Sequence, residues 1–320
     1  MSKLKIGVLG CANIARRSVI PAIKSIAEYD LVAIASRTQA KAADFANEFS
    51  CEAIEGYQNL LDRNDIDVIY MPLPTGLHEE WVMKALEAGK HILIEKSLAM
   101  NYDSAKRMVD LARHKGLLIM ENFMFLYHGQ HQFVKDLIGK GEIGELRCFR
   151  SSFGFPPLDK DNFRYNAELG GGSLLDAAAY TVRASQLFLG NDLWVEGATL
   201  NNMNAEVDLF GGAYLKSESG MFAEVAFGFD NFYQCNYEIW GSKGKITAQR
   251  AFTPGENFTP TITLEKQGEL FDYKVNAENH FVNILNEFKR CVLQKEVETK
   301  YEEILNQSRL LQELKDKAAV

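Results

Sequence analysis

The sequence lacks the long apolar runs and basic blocks that mark several classes of protein. No apolar run approaches the ~20 residues of a transmembrane helix, so we expect no membrane partner. The net charge is −8, without a basic block of the kind that follows a nucleic acid, so we expect no nucleic-acid partner either. The first apolar strand pattern begins almost at Met1, and we therefore expect no signal peptide.

Paired cysteines are also missing. The five cysteines are odd in number, scattered and without a C-x-x-C motif, which predicts reduced thiols in the cytoplasm and no metal site. What is present is an ordinary globular composition, 47% hydrophobic and 24% charged. A length of 320 residues is enough for two domains with sizeable cores.

A strand, a tight turn and a helix are predicted at the start of the chain. Residues 6–9 form a short apolar run, Gly10 ends it, and a helix capped by Asn13 or a neighbour is predicted over residues 14–27. The turn reads G-C-A-N-I-A against the dinucleotide pattern G-x-G-x-x-G/A, with an alanine as the middle residue. The pattern favours pyrophosphate binding at the helix start, although a plain strand-to-helix turn is the alternative. The candidate cofactor ligands are Gly10, Cys11, Ala12, Asn13 and Ile14.

The second predicted strand, residues 31–35, ends at Ser36 and Arg37, with Lys41 one helical turn further on. In a dinucleotide-binding unit this position meets the adenosine ribose, where an acid favours NAD and an arginine accommodates the 2′-phosphate of NADP. Ser36, Arg37 and Lys41 therefore predict NADP over NAD. The alternative for Arg37 is a solvated loop charge.

Six strand patterns alternate with helix patterns over about the first 120 residues. They predict an α/β fold with a doubly wound parallel Rossmann sheet, assigned to residues 1–122. The loop that contains Leu73, Pro74 and His78 follows a strand and should face the ligand crevice. His78 could contact cofactor or substrate there, or only cap the next helix.

Residues 123–320 have a different pattern, with several strands, one of them over 206–216, joined by short turns, and two closing helices over 277–293 and 301–318. They predict an α+β domain with a large, mostly antiparallel open sheet that helices cover on one face. Within it, glycines 170–172 lead into a helix with Asp176 and Tyr180 four residues apart, hence on one face. So many glycines suggest close approach of a ligand, while an amphipathic core helix with a half-buried Tyr180 is the alternative.

Glu95-Lys96 after the fifth strand, the proline-containing loop before it and Glu121-Asn122 after it resemble the glucose–fructose oxidoreductase/inositol dehydrogenase/MocA family. The family usually has proline, often after a cis peptide, where this chain has Ser97. The resemblance implies that Glu95, Lys96 and Asn122 lie at the cofactor. It also implies that Lys96 positions a substrate hydroxyl and stabilises alkoxide charge.

The resemblance further implies a proton donor at Tyr180. If Lys96 and Tyr180 lie beside the same nicotinamide ring, the lysine cation would favour the phenolate form of Tyr180. Asp176 would orient Lys96 or bond a substrate hydroxyl. Arg164, after Phe163, resembles an aromatic–arginine pair that reaches the cofactor in NADP-using relatives, and it could instead hold a substrate phosphate. His128 is a further candidate for substrate binding.

Within the family, the stretches 227–230, 237–244 and 250–254 are most similar to 3-ketoreductases of nucleotide-linked deoxysugars. This similarity implies an NADP(H)-dependent ketoreductase that acts on a sugar or sugar nucleotide. An NADP-dependent aldose or trans-dihydrodiol dehydrogenase is one alternative, and a non-catalytic NADP-binding regulator is another. The uncovered sheet face implies a homodimer or homotetramer.

Overall fold

The computed structural model describes residues 3–318, which form two compact units. The first contains residues 3–123 and 281–305, and the second contains residues 124–280 and 306–318. The sequence-based division at residue 122 places both closing helices in the second domain. In the structure, residues 281–305 belong to the first unit. Tyr301 and Ile304 explain the difference, because both are buried in the core of that unit and the Tyr301 hydroxyl donates to the Leu117 carbonyl.

The first unit is built on a six-stranded sheet in which every strand pair is parallel. The order 3-2-1-4-5-6 has the doubly wound arrangement predicted from the alternating pattern. The strands are β1 (Leu4–Leu9), β2 (Tyr29–Ser36), β3 (Glu52–Glu55), β4 (Val68–Met71), β5 (His91–Ile94) and β6 (Ile119–Glu121).

Helices cover this sheet, and its central strands are therefore continuous apolar runs. All four residues of β4 are buried, as expected of a parallel sheet with both faces covered. The α-helices of this unit are α1 (Ile20–Ser25), α2 (Gln39–Phe49), α3 (Tyr57–Leu61), α4 (His78–Glu87) and α5 (Tyr102–Lys115).

The helix predicted over residues 14–27 differs in form from the expectation. It begins at Asn13, passes through a π-helical turn, Ala15–Val19, continues as α1 and ends at Ser25. Asn13 is itself the first helical residue, so the predicted cap at Asn13 was wrong. Pro21 follows the π-helical turn by two residues and has no N–H to donate to the preceding turn of the helix.

The second unit is built on an eight-stranded sheet of order 14-13-12-11-7-10-9-8. The central pair of strands 7 and 10 is parallel, and the other pairs are antiparallel. The strands are β7 (Leu146–Gly154), β8 (Trp194–Asn201), β9 (Phe210–Lys216), β10 (Phe222–Gly228), β11 (Gln234–Gly241), β12 (Lys245–Gln249), β13 (Thr261–Lys266) and β14 (Glu269–Lys274). This is the mostly antiparallel sheet predicted from the short connections.

Edge strand β14 was not predicted. Its residues are exposed or half-buried throughout, so they lack the alternation that identifies a strand with one buried face. The signal that could have found it is Gln267-Gly268, where both residues have positive φ angles and join β13 to β14 in a two-residue hairpin.

Helices α6 (Gly129–Gly139) and α7 (Ala179–Leu189) belong to the second unit, and α7 packs on β7 and β10. Two helices close the chain, α8 (His280–Gln294) and α9 (Glu298–Ala318). The end of α9 belongs to the second unit, where Gln307 Nε2 donates to the Ala179 carbonyl. No helix within residues 3–318 is long and apolar enough to cross a membrane.

Candidate functional site

The turn after β1 requires glycine. Gly10 has a φ of +128°, and a Cβ atom there would lie 2.9 Å from Leu73 Cδ2. Its N–H donates to the Ala35 carbonyl at 3.0 Å, which fixes the turn beside the end of β2. The π-helical turn follows directly, and Arg16 N donates to the Ala12 carbonyl at 3.1 Å. The predicted tight turn that leads into a helix is therefore present. Residues 10–14, here called the cradle, have the backbone arrangement that is typical of pyrophosphate sites.

The end of β2 presents the side chains predicted to choose the cofactor. Ser36 is buried, whereas Arg37 and Lys41 are exposed and so accessible to a ligand. Gly56 N donates to the Ser36 carbonyl at 2.7 Å, which brings Tyr57 to the same edge of the sheet. Burial raises the pKa of the Tyr57 phenol, and the positive charge of Arg37 opposes that rise.

His78 lies at the start of α4 and is fully buried. Its Nε2 lies 2.8 Å from the Leu73 carbonyl oxygen, and its Nδ1 lies 3.1 Å from that of Ser97 and 3.0 Å from that of Leu98. The helix has no side-chain cap, so the capping alternative for His78 was wrong. Both ring nitrogens are engaged with the main chain.

Glu95 and Asn122 meet at the carboxyl ends of β5 and β6. The Tyr70 hydroxyl and the Asn122 side-chain amide both donate to Glu95 Oε1, each at 2.6 Å. On the other side of Lys96, Leu98 N donates to Glu121 Oε1 at 2.7 Å. The peptide between Lys96 and Ser97 is cis. Lys96 is half-buried. Hydrogen bonds hold the Glu95 side chain before it and the Leu98 N–H after it.

The side-chain oxygen Oδ1 of Asn122 is a buried acceptor without a hydrogen bond among the described residues. Asn122 is 1% exposed. A buried acceptor without a donor is costly, about 1–3 kcal/mol, so this oxygen fits a ligand that brings an N–H group. The carboxamide of a nicotinamide is such a donor. Together with the cradle at Gly10, the residues present fit a nicotinamide dinucleotide.

In the second unit, the glycines before Tyr180 allow neighbouring segments of the chain to pack closely. A Cβ atom on Gly171 would lie 2.4 Å from the Arg164 carbonyl oxygen, and one on Gly172 would lie 2.4 Å from Asp208 Oδ1. The close approach inferred from sequence is therefore that of neighbouring chain segments, which corrects the expectation of a ligand. Asp208 Oδ2 accepts from Ser173 Oγ at 2.6 Å, and its carboxylate thereby holds the glycine segment.

Asp208 also determines where β9 begins. The sequence predicted a strand over 206–216, but β9 begins at Phe210 because the preceding residues bind this turn instead. Asp208 Oδ2 accepts from Leu174 N at 2.7 Å, and the Asp208 carbonyl accepts from Ser173 N at 2.8 Å.

Asp176 and Tyr180 lie in different kinds of helix. Asp176 belongs to a π-helical turn, Leu174–Ala178, and Tyr180 to α7, so the α-helical spacing assumed from sequence does not hold. Arg164 Nε donates to Asp176 Oδ2 at 2.7 Å. The Arg164 guanidinium carbon lies 4.8 Å from the centre of the Phe163 ring, which forms the predicted aromatic–arginine pair.

Tyr180 is 7% exposed within a collar of aromatic rings. Its ring centre lies 4.9 Å from that of Phe153 and 5.8 Å from those of Phe125 and Phe252. The collar was not predicted, because its members come from separate segments of the chain. Rigid rings around the phenol fix its direction.

The two histidines near residue 130 are buried and structural in their contacts. His128 Nδ1 accepts from Gln130 N at the start of α6, which is a helix cap. His131 lies between the Tyr237 hydroxyl and the Ala251 carbonyl, each at 3.0 Å. Burial lowers the pKa of His131 to about 3, so the ring is neutral and holds the segment that brings Phe252 to Tyr180. No metal-binding group of three His, Cys, Asp or Glu residues occurs among the described residues.

Two family models match the chain. Residues 4–123 match the NAD-binding Rossmann fold of the Gfo/Idh/MocA oxidoreductase family, and residues 131–247 match a Gfo/Idh/MocA C-terminal domain. A dTDP-3,4-didehydro-2,6-dideoxy-alpha-D-glucose 3-reductase of Saccharopolyspora spinosa is 47% identical over 90% of this chain and 87% of the relative. A D-xylose 1-dehydrogenase (NADP(+)) of Haloferax volcanii is 32% identical over 89% of this chain and 88% of the relative.

A solved structure of a 3-ketoreductase is similar to nearly the whole chain. A 3-ketoreductase from Actinomadura kijaniata in complex with NADP and TDP-benzene superposes with a TM-score of 0.96 at 40% identity, over 99% of this chain and 98% of that one. The same relative has been solved with a lysine changed to alanine or glutamate and with a tyrosine changed to phenylalanine. From its sequence and fold, the chain belongs to the Gfo/Idh/MocA family of oxidoreductases.

Proposed function

We propose that this enzyme is an NADPH-dependent 3-ketoreductase that acts on a deoxysugar linked to dTDP. The similarity to the reductases of Saccharopolyspora and Actinomadura carries the proposal, because it extends over both units at 40% identity or more. The site residues support it, since the first unit has the features of a nicotinamide dinucleotide site and the second presents a buried phenol.

Cofactor binding is assigned to the carboxyl edge of the first sheet. The turn from Gly10 to Ile14 would take the pyrophosphate, and Arg37 with Lys41 and Ser36 would take the 2′-phosphate. The loop with Leu73 and Pro74 is the adjoining wall, because the Leu73 side chain lies against Gly10. Asn122 Oδ1 would accept the carboxamide N–H, while Glu95 keeps the Asn122 side chain in place.

The reaction adds a hydride and a proton to the sugar ketone. Bound NADPH supplies the hydride to the carbonyl carbon. The ammonium of Lys96 stabilises the negative charge that develops on the carbonyl oxygen. The phenol of Tyr180 then donates its proton to that oxygen, and solvent returns a proton to the phenolate. Arg164 and Asp176 would bind the substrate beside Tyr180. His128 would support the substrate site indirectly, through the helix α6 that it caps.

A second candidate is an NADP-dependent aldose dehydrogenase, which the 32% identity to the Haloferax enzyme favours. One assay separates the two. The purified protein is given NADPH with a dTDP-linked 3-keto sugar, and in parallel NADP⁺ with xylose. Consumption of NADPH only in the first reaction supports the ketoreductase, while formation of NADPH only in the second would establish the dehydrogenase. A non-catalytic regulator would bind NADPH and turn over neither substrate.

We also propose that the enzyme forms a homodimer or homotetramer in the cytoplasm through the uncovered face of the second sheet. Trp240 is 50% exposed there, with the guanidinium carbon of Arg150 5.3 Å from its ring centre. The rings of Tyr214 and Phe222 lie 5.2 Å apart between centres. The five cysteines are free thiols, which suits a reducing compartment. Light scattering of the wild type and of Trp240→Glu tests the interface. A carboxylate buried between subunits should disfavour their association, so the variant should have a lower molar mass in solution than the wild type.

A further inference from the structure

His78 joins two loops of the first unit through one buried ring. Its Nε2 faces the carbonyl of Leu73 at 2.8 Å, in the loop after β4. Its Nδ1 faces the carbonyls of Ser97 and Leu98 at 3.1 and 3.0 Å, in the loop after β5. The ring is completely buried, so water does not compete for these contacts.

Each of the two loops belongs to a different part of the proposed site. The Leu73 side chain lies against Gly10 and so forms a wall of the cofactor turn. Ser97 and Leu98 are the residues that follow Lys96 directly. A shift of either carbonyl would therefore move a cofactor contact or the backbone that carries the lysine.

The ring is needed because these carbonyls can only accept hydrogen bonds. A neutral imidazole donates through one nitrogen, and an imidazolium donates through both. Burial lowers the pKa of His78 from its ordinary value, and the three carbonyls oppose that effect. The imidazolium, which the three carbonyls favour, donates to both loops at once, whereas the neutral ring donates to one loop at a time. Loss of the donor would leave buried acceptors unsatisfied.

We propose that His78 is a positioning residue that acts through two separate contacts. The Nδ1 contact fixes Lys96 for the reaction, and the Nε2 contact fixes the Leu73 wall for NADPH. The first half of this proposal rests on the proposed function of Lys96, whereas the geometry of the two contacts does not.

Two substitutions separate the contacts. The amide nitrogen of His78→Asn replaces Nδ1, and that of His78→Gln replaces Nε2. We expect His78→Gln to lower the single-turnover rate about 10- to 100-fold with little change in the KM for NADPH, because Lys96 loses its anchor. We expect His78→Asn to keep the rate and raise the KM for NADPH. His91→Asn is the matched control, since His91 is in the same unit and its Nδ1 accepts from Leu118 N.

Hydrogen exchange of the cofactor-free protein gives a readout that does not depend on activity. His78→Gln should speed exchange at residues 95–99 and His78→Asn at residues 71–75, each without the effect of the other. Equal effects of both variants on rate, KM and exchange, or no effect beyond that of His91→Asn, would overturn the proposal. If instead Lys96→Met keeps full turnover while the exchange pattern holds, the proposed role of Lys96 fails and the loop contacts stand.

Discussion

Arg164 and Asp176 form an ion pair in which the guanidinium Nε donates to the carboxylate Oδ2 at 2.7 Å. The pair joins the short helix Phe163–Tyr165 to the π-helical turn that leads to Tyr180. The Asp176 carboxylate, predicted from sequence to orient Lys96 or to bind a substrate hydroxyl, thus has a cationic partner inside its own unit. Because both side chains are mostly buried, the pair should stabilise the start of α7 more than an exposed pair would.

The first prediction concerns this pair. Arg164→Gln and Asp176→Asn should each lower kcat/KM, because each removes the charged hydrogen bond that the two side chains share. The double variant should lose less than the sum of the single losses, with a coupling energy of about 1–3 kcal/mol in a double-mutant cycle. Additive losses in steady-state assays would show that the two side chains act independently.

The second prediction concerns cofactor choice. Arg37→Ala should raise the dissociation constant for NADPH about 10- to 100-fold and leave that for NADH nearly unchanged, because only NADPH carries the 2′-phosphate. Fluorescence titration measures both constants. Lys115→Ala is the control, since Lys115 lies in the same unit and pairs with Glu87. Equal weakening of both cofactors would contradict the assignment of Arg37.

The third prediction concerns acid. The unfolded His131 ring protonates near pH 6.5, whereas burial, with help from the neighbouring His128 and His280, lowers its folded pKa to about 3. Between these values the unfolded chain binds more protons, so stability is lost as the pH falls. From pH 7 to pH 5 this one ring should remove about 2 kcal/mol from the free energy of unfolding.

Urea unfolding of His131→Gln tests that number. The glutamine amide can still donate to the Ala251 carbonyl, but it does not titrate. The variant should therefore lose about 2 kcal/mol less than the wild type over the same pH range. His114→Gln, at an exposed position of α5, should behave as the wild type does. The same pH dependence in all three proteins would show that His131 does not titrate as described.

The fourth prediction concerns the glycines before Tyr180. Gly172 and Gly220 both have positive φ angles, but only Gly172 has a neighbour in the place of a Cβ atom. Gly220→Ala should cost about 1 kcal/mol from backbone strain alone. Gly172→Ala should cost clearly more and lower activity, because Asp208 must move. Thermal unfolding of both variants checks this, and equal losses would mean that the Asp208 contact is unimportant.

The sequence predicted most of the first unit because its signals are local. Apolar runs such as Ile92–Ile94 identify buried parallel strands, and Gly10 marks the turn by its freedom of φ. The predicted alternation of strands and helices is confirmed by the sheet order. Edge strand β14 was missed since it buries no regular face.

The site was harder to predict, because its contacts join distant parts of the chain. The residue types at Lys96 and Tyr180 were recognisable, but the donors to Glu95 come from two other strands or their ends. The partner of Asp176 lies twelve residues earlier, across a glycine segment whose path no local pattern gives. The two contacts of His78 likewise depend on loops that only the folded sheet brings together.

The most direct test of the account is the oxidation of NADPH by a dTDP-linked 3-keto sugar, followed for the wild type, Tyr180→Phe and Tyr237→Phe. Tyr237 is a buried control in the same unit, where its hydroxyl binds His131. We expect Tyr180→Phe to lower kcat about 10²- to 10⁴-fold with NADPH affinity retained, while Tyr237→Phe turns over almost as the wild type does. Wild-type turnover by Tyr180→Phe, or no turnover by the unmodified protein, would contradict it.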